Sequence, residues 1–326
     1  MLFRSSVSVE AFLAAGHEVV VLDDLSTGHR AAVPVEATFH EGTYTDGEAI
    51  ARLLDAEHIE AILHCAARSL VGESIREPAR YFRDNVAGGI ELLEAARATG
   101  VDRVVFSSTA AVYGVPAETP IPEDAVLQPI NPYGESKRAF ESALAWYGRA
   151  YGLRSVTLRY FNVAGATRAR GEDHDPETHL VPAVLAAAER GTALTLFGED
   201  YPTPDGTCIR DYIHVADLAD AHLRAIDATG RGDPRTDEPV VLNLGNGDGF
   251  SVRQVIRAAE AVVGRPIPVT PGPRRAGDPP VLVARSTRAA EVLGWRPAQP
   301  SLEAMVGSAW AWRQAYPGGY ADDEPA

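Results

Sequence analysis

Cysteine and methionine are scarce in these 326 residues, with two of each, and aromatic residues make up only 7% of the chain. Two cysteines, Cys65 in an apolar run and Cys208 beside threonine, can build neither a disulfide framework nor a four-thiolate zinc site. A reducing, cytoplasmic setting is therefore expected, and no metal site. No run of about 18 uninterrupted apolar residues occurs, which argues against a membrane-spanning helix. Met1 to Glu10 show neither the long apolar region nor the cleavage pattern of a secretory signal. Positive charge is also short: 30 Lys and Arg against 45 Asp and Glu leave a formal net charge of -15. That balance excludes a broadly basic nucleic-acid surface while allowing a few local arginines around a small anionic ligand.

What is present reads as an alternating α/β chain. Val9 to Ala15 place apolar side chains at helical intervals, Gly16 can end that helix, and Val19 to Leu22 form a β-branched run that stops at Asp23 and Asp24. Strands are predicted again over Ala61 to Cys65, Arg103 to Ser107 and Ser155 to Arg159, with helices over Asn85 to Ala98 and Tyr133 to Tyr151. The alternation implies a doubly wound parallel sheet. Beyond Gly165 the pattern loosens into a charged loop from Arg168 to His179, a helix over Val181 to Arg190, and Pro/Gly-rich stretches. The expected division is a Rossmann-like domain over 1–165 and a smaller C-terminal domain over 166–326, with 207–227 returning to the first.

Tyr133 and Lys137 stand four residues apart on the helix that begins after Asn131 and Pro132, so their side chains share one face. A tyrosine hydroxyl ionises near pH ~10 in water, and an ammonium group one turn away favours the ionised form that a base requires. The strand ending in Ser107-Ser108-Thr109 would carry hydroxyls to the carboxyl end of a parallel strand, where open α/β sheets bind ligands. Taken singly, Tyr-x-x-x-Lys arises often by chance, and strand-end hydroxyls often serve only the backbone. Together they read as a site at which a sugar hydroxyl could be held and deprotonated.

These residues, with Leu22-Asp23-Asp24-Leu25-Ser26, His64-Cys65-Ala66-Ala67, Asn85-Val86, Tyr133-Gly134-Glu135-Ser136-Lys137 and Arg159-Tyr160-Phe161-Asn162, resemble the extended short-chain dehydrogenase/reductase family from about Val7 to Tyr320. The run from Phe197 to Thr207, leading into Arg210-Asp211-Tyr212-Ile213-His214-Val215, is similar to its UDP-glucose 4-epimerase branch. The resemblance implies that Tyr133 is the acid/base on the sugar 4-hydroxyl, Lys137 its electrostatic partner, and Thr109, where serine is common, the accessory hydroxyl. It implies tightly bound NAD. Asp23 and Asp24 would face the adenosine ribose, with Asp23 disfavouring a 2′-phosphate. Ala66, Ala67, Arg68, Asn85, Ser107 and Tyr160 would complete the cofactor contacts together with Tyr133 and Lys137.

For the sugar nucleotide the resemblance implies Arg210 and Arg275 on the pyrophosphate, Asp278 on the uridine ribose, and Asn162, His179, Leu180 and Phe197 lining the pocket beside Thr109. Without it, Arg210 next to Asp211 reads as a surface ion pair and Arg274-Arg275 as a solvated basic turn. The implied activity takes hydride from sugar C4 to NAD and returns it to the other face of a 4-keto intermediate, interconverting UDP-galactose and UDP-glucose. Family members form homodimers, here through helices within Pro78 to Ala98 and Ala139 to Tyr151.

The sequence departs from this pattern at its start. A nicotinamide-binding sheet conventionally opens with a strand, a Gly-rich turn and a helix whose N-terminus receives the pyrophosphate. Here only the helix is legible, with Ser5 at the turn's final glycine, so the first strand and its loop are expected to be missing and the edges of their neighbours uncovered. Two explanations stay open: a start assigned too far downstream, or a real loss that weakens NAD binding. Thr43 stands where relatives carry aspartate near the adenine. Leu282 stands where a tyrosine narrows the sugar pocket, leaving space for UDP-N-acetylhexosamines. One rival reading, a 4,6-dehydratase, needs Asp-Glu directly after Thr109, where this chain has Ala110 and Ala111. Another is a nucleotide-sugar binding protein derived from an epimerase.

Overall fold

A computed structural model describes residues 3–230, 239–275 and 278–321. The first half runs α1 (Phe3–Ala14), β1 (Val20–Asp23), β2 (Thr38–Glu41), α2 (Gly47–Ala56), β3 (Ile62–His64), α3 (Val71–Arg76), α4 (Pro78–Tyr81), α5 (Gly89–Thr99), β4 (Arg103–Thr109), α6 (Pro132–Tyr151) and β5 (Arg154–Tyr160). The second continues with β6 (Asn162–Ala164), α7 (Leu180–Arg190), β7 (Leu194–Phe197), β8 (Ile209–Arg210), β9 (Tyr212–His214), α8 (Val215–Gly230), β10 (Val240–Leu244), β11 (Phe250–Ser251), α9 (Val252–Val263), β12 (Val269–Gly272), β13 (Val281–Leu282), α10 (Thr287–Leu293) and α11 (Leu302–Ala315). No described helix is long and apolar enough to cross a membrane.

The first helix starts six residues before the expected Val9. Ser6 and Ser8 are buried, and they close their hydrogen bonds inside the helix, Ser6 onto the Phe3 carbonyl and Ser8 onto that of Arg4. Polar residues that satisfy themselves in this way leave no break in the helix, although they blur its apolar period. The expected helix from Asn85 likewise begins as a π-helical turn over Phe82–Gly88 before α5 becomes regular. Such turns seldom leave a sequence signal.

Strands of the first half are parallel, as expected, but they form two pieces. β1 pairs with β2, while β3, β4, β5 and β10 form a four-stranded sheet in the order β10-β5-β4-β3. Among the described residues β1 pairs only with β2 and β3 only with β4, so two strand edges face each other unpaired. Helices hold the pieces in place from both faces. Val9 of α1 packs on Val21 of β1, while Phe3, Val7 and Phe12 pack with Val105, Leu158 and the α8 residues Leu218 and Ala221. On the opposite face Ile50 and Leu54 of α2 meet Leu92 and Ala96 of α5, with Leu22 of β1 and Ile62 of β3 against them.

β4 is the centre of this arrangement. Val104 and Phe106 face Phe140 and Leu144 of α6, while Val105 faces the α1–α8 layer. Burial on both faces explains why the strand reads as a continuous apolar run rather than an alternation. The chain comes back to this sheet after the loop-rich region, where α8 joins the upper layer and β10 adds an edge strand beside β5. A second core forms where α7, α9 and α11 meet, with Val184, Leu185, Val255, Met305 and Val306 fully or almost fully buried.

Candidate active site

The strand end and the start of α6 meet by local geometry. Asn131 caps α6 by accepting from the Gly134 N–H at 2.8 Å, and Pro132 occupies the first turn, where its missing N–H costs nothing. Gly134 allows the close approach: a Cβ there would stand 2.5 Å from the Ala111 carbonyl oxygen. This contact sets Tyr133 beside Thr109, whose hydroxyl favours the ionised form of the tyrosine. Thr109 also accepts from the Ala111 N–H at 3.1 Å, which starts the turn after β4. Lys137, one helical turn on, donates to the Ser107 carbonyl at 2.9 Å with its ammonium 4.6 Å from the Phe106 ring centre.

Electrostatics at this trio differ from expectation in one respect. Burial lowers the Lys137 ammonium to about 7. Burial also pushes the Tyr133 hydroxyl up, and what opposes that rise is the guanidinium of Arg4 together with the hydrogen bond from Thr109. A second cation, Arg4, therefore acts on Tyr133 beside Lys137, whose charge is weakened by its own burial. Arg4 reaches in from the first turn of α1 and lies 5.5 Å from the Tyr160 ring centre. Sequence reasoning missed it, since a lone arginine at the expected Gly-rich turn carries no signal until α1 is placed.

Behind the site a buried network fixes β4. Arg159 forks onto Glu141, with Nη2 to Oε2 at 2.6 Å and Nε to Oε1 at 3.1 Å, and donates to the Tyr113 hydroxyl at 2.9 Å. Ser108 donates to the same carboxylate, and Tyr113 donates to Asn243 at 2.7 Å. Glu141 was not among the expected site residues. It touches nothing in the cavity, but it anchors the residue beside Thr109.

A single cavity of about 2180 Å³ runs from Asp23 and Asp24 past Tyr133 to Arg210 and Arg275. Part of that volume is the gap lined by Glu57, His58, Ile59, Glu60 and Arg103, at the other ends of the strands, and the rest is open to ligands beside Tyr133. Ala66, Ala67, Arg68, Thr43, Thr109, Lys137 and Tyr160 line it, and so do Asn162, His179, Leu180, Phe197, Asp278 and Leu282. Asn85 and Ser107 stand behind the wall instead. Asn85 accepts from the Arg68 N–H at 2.8 Å and donates to the Arg68 carbonyl at 3.0 Å, holding the loop after β3, while Ser107 offers its carbonyl to Lys137.

Several charged residues already have partners. Arg68 pairs with Asp84, and Asp23 accepts from the Leu25 N–H at 2.9 Å. Arg210 pairs with Asp278, whereas the adjacent Asp211 is fully buried and accepts from the N–H groups of Asn246, Gly247 and Ala284. The surface pair Arg210–Asp211 is thus replaced by a cavity pair and a buried backbone anchor. Arg275 lies 4.4 Å from the Phe197 ring centre. A ribose or phosphate oxygen between Arg210 and Asp278 would exchange one charge-assisted hydrogen bond for others of similar strength.

The set fits a bound NAD: Asp23 stands at the end of the parallel strand β1, and Tyr133, Lys137, Arg4 and Arg68 line the same cavity. Residues 3–245 match the sequence profile of the NAD dependent epimerase/dehydratase family, and the chain belongs to that family. A UDP-glucose 4-epimerase from Streptococcus mutans is 50% identical over 98% of this chain and 96% of its own, and one from Streptomyces lividans 49% identical over 98% and 96%. A crystal structure of a UDP-glucose 4-epimerase superposes with a TM-score of 0.93 at 44% identity, covering 98% of this chain and 96% of that one. Another, from Brucella ovis in complex with NAD, gives 0.89 at 44% identity, covering 94% of both chains.

Proposed function

We propose that this protein is a UDP-glucose 4-epimerase that interconverts UDP-galactose and UDP-glucose with NAD as its cofactor. The observation that carries the reading is the trio Thr109, Tyr133 and Lys137 on one cavity whose far end bears Arg210, Arg275 and Asp278. In this reading Tyr133 removes the proton of the sugar 4-hydroxyl and later returns it. Thr109 holds that same oxygen and relays its hydrogen bond to Tyr133. Lys137, fixed by the Ser107 carbonyl, orients the cofactor ribose beside the reacting carbon. Arg210 and Arg275 grip the pyrophosphate, and Asp278 the uridine ribose. NAD, when bound, supplies the reversible hydride acceptor that makes a transient 4-keto sugar accessible at C4. Ala110 and Ala111 line the cavity where a dehydratase would need an acid pair, which favours epimerisation.

Leu282 on the cavity wall leaves space for UDP-N-acetylhexosamines as further substrates. A homodimer is part of the same reading. Ile90 of α5 and Trp146 and Tyr151 of α6 are exposed apolar side chains on the helices that would meet. The two cysteines are free thiols, which suits a cytoplasmic enzyme.

The test is to assay the purified chain for conversion of UDP-galactose to UDP-glucose while measuring bound NAD by absorbance and mass spectrometry. Turnover that depends on NAD and is lost in Tyr133→Phe is expected. Sugar-nucleotide binding without turnover at saturating NAD would instead favour a binding protein. One observation supports that second reading: Arg4 lines the cavity, and among the described residues no strand pairs β1 with β3.

A further inference from the structure

A cluster that the epimerase chemistry does not use as a set lies in the loop leading into α7, with His174, Glu177 and His179 on the wall of the same cavity and Glu172 buried beside them. Glu172, His174, Glu177 and His179 each offer one donor atom, and the four atoms all lie within 4.8 Å of one another. We propose that they form a binding site for one divalent transition-metal ion of the zinc class.

Their spacing carries the argument. His174 Nδ1 stands 3.2 Å from Glu172 Oε1 and 3.7 Å from Glu177 Oε2, while Glu177 Oε1 accepts from the His179 backbone N–H at 2.6 Å. Around a tetrahedral ion with bonds of about 2.0–2.1 Å, donor atoms stand about 3.3–3.4 Å apart. His179 Nδ1 and Glu172 Oε1, at 2.5 Å, are closer than that and would open on binding. The side chain of Glu172 is only 6% exposed, yet Oε1 accepts no hydrogen bond although both rings are at ion-pair distance. Arg4 adds charge near this carboxylate but donates no hydrogen bond to Oε1.

Two carboxylates balance a divalent charge, and neutral imidazoles complete a set suited to zinc rather than to magnesium or calcium. The ion would tie residues 172–179 to the start of α7, next to Leu180 and close to Phe3 of α1, whose ring lies 6.1 Å from that of His174.

The experiment strips the full chain with a chelator and titrates it with Zn²⁺ in competition with a chromophoric chelator. One ion per chain is expected. His174→Ala and Glu172→Gln should each weaken binding by at least the about 10–100-fold typical of lost outer-shell partners. His58→Asn, outside the cluster, should leave binding unchanged. No zinc uptake, or uptake indifferent to both substitutions in variants that keep the native circular dichroism, overturns the proposal. If a variant misfolds, the wild-type chain loaded with Co²⁺ decides: tetrahedral d–d absorption supports the site, and its absence overturns it.

Discussion

Two histidines make this protein's stability depend on pH in a way the structure quantifies. His64 is buried among the rings of Tyr44, Phe106 and Phe140, and His222 is fully buried between Ser8 and Ser107. Burial lowers each imidazole to about 3 from an ordinary 6.5. The folded value lies below the unfolded one, so the unfolded chain binds more protons between those values. Stability therefore falls as the pH drops from about 6.5 toward 3. At pH 5 the loss works out at about 2 kcal/mol per histidine, and about 4 for both. Replacing His64 by Phe keeps an aromatic ring in an aromatic cluster and removes one share. Urea unfolding at pH 7.5, 6 and 5 should show the wild-type chain losing about 2 kcal/mol more than His64→Phe across that range. Equal losses in the two proteins would refute the assignment of His64 as a buried neutral imidazole.

Tyr133→Phe should lower kcat by about 10²–10⁴-fold while UDP affinity, read by calorimetry, stays within a factor of two or so. Lys137, the only lysine in the sequence, should acylate with a rate that levels off above about pH 7, its lowered value, when followed by peptide mass mapping; a rate still climbing through pH 9 would contradict it. Glu141→Leu, which leaves the Arg159 guanidinium buried without its carboxylate, should cost about 3–5 kcal/mol in denaturant unfolding. Leu282→Tyr should cut turnover of UDP-N-acetylgalactosamine more than that of UDP-galactose, and an equal effect on both would remove Leu282 as the determinant of pocket width.

Much of this was legible in the chain because it is encoded locally. The apolar run of β4, the Asn131-Pro132 start of α6 and the four-residue spacing of Tyr133 and Lys137 each specify geometry within a few residues. A further signal was available: Lys137 stands alone among 30 basic residues, the rest being arginine. Arginine would hold its charge in that buried position, whereas lysine can shift. What was not legible depends on packing across the chain. Arg4 acts on Tyr133 only because α1 lies against α8 and β4, and Asn85 and Ser107 fall behind the wall because the loop after β3 folds over them. The pairing of Arg210 with Asp278 spans 68 residues, so spacing alone could not reveal it.

The two ends of the cavity are secured by different means. Thr109, Tyr133 and Lys137 are positioned by contacts confined to β4 and α6: the Asn131 cap, the glycine approach at Gly134 and the Ser107 carbonyl. None of these passes through β1 or the edge of β3. The end that bears Asp23 rests on β1, whose only strand partner among the described residues is β2 and whose position relative to β3 is fixed by helix packing from either face. Helix packing on one flank restrains a strand less than hydrogen-bonded neighbours on both edges. It follows that the reacting trio can keep its geometry while the grip on the adenosine half varies, so cofactor affinity and proton-transfer geometry are separable properties of this fold.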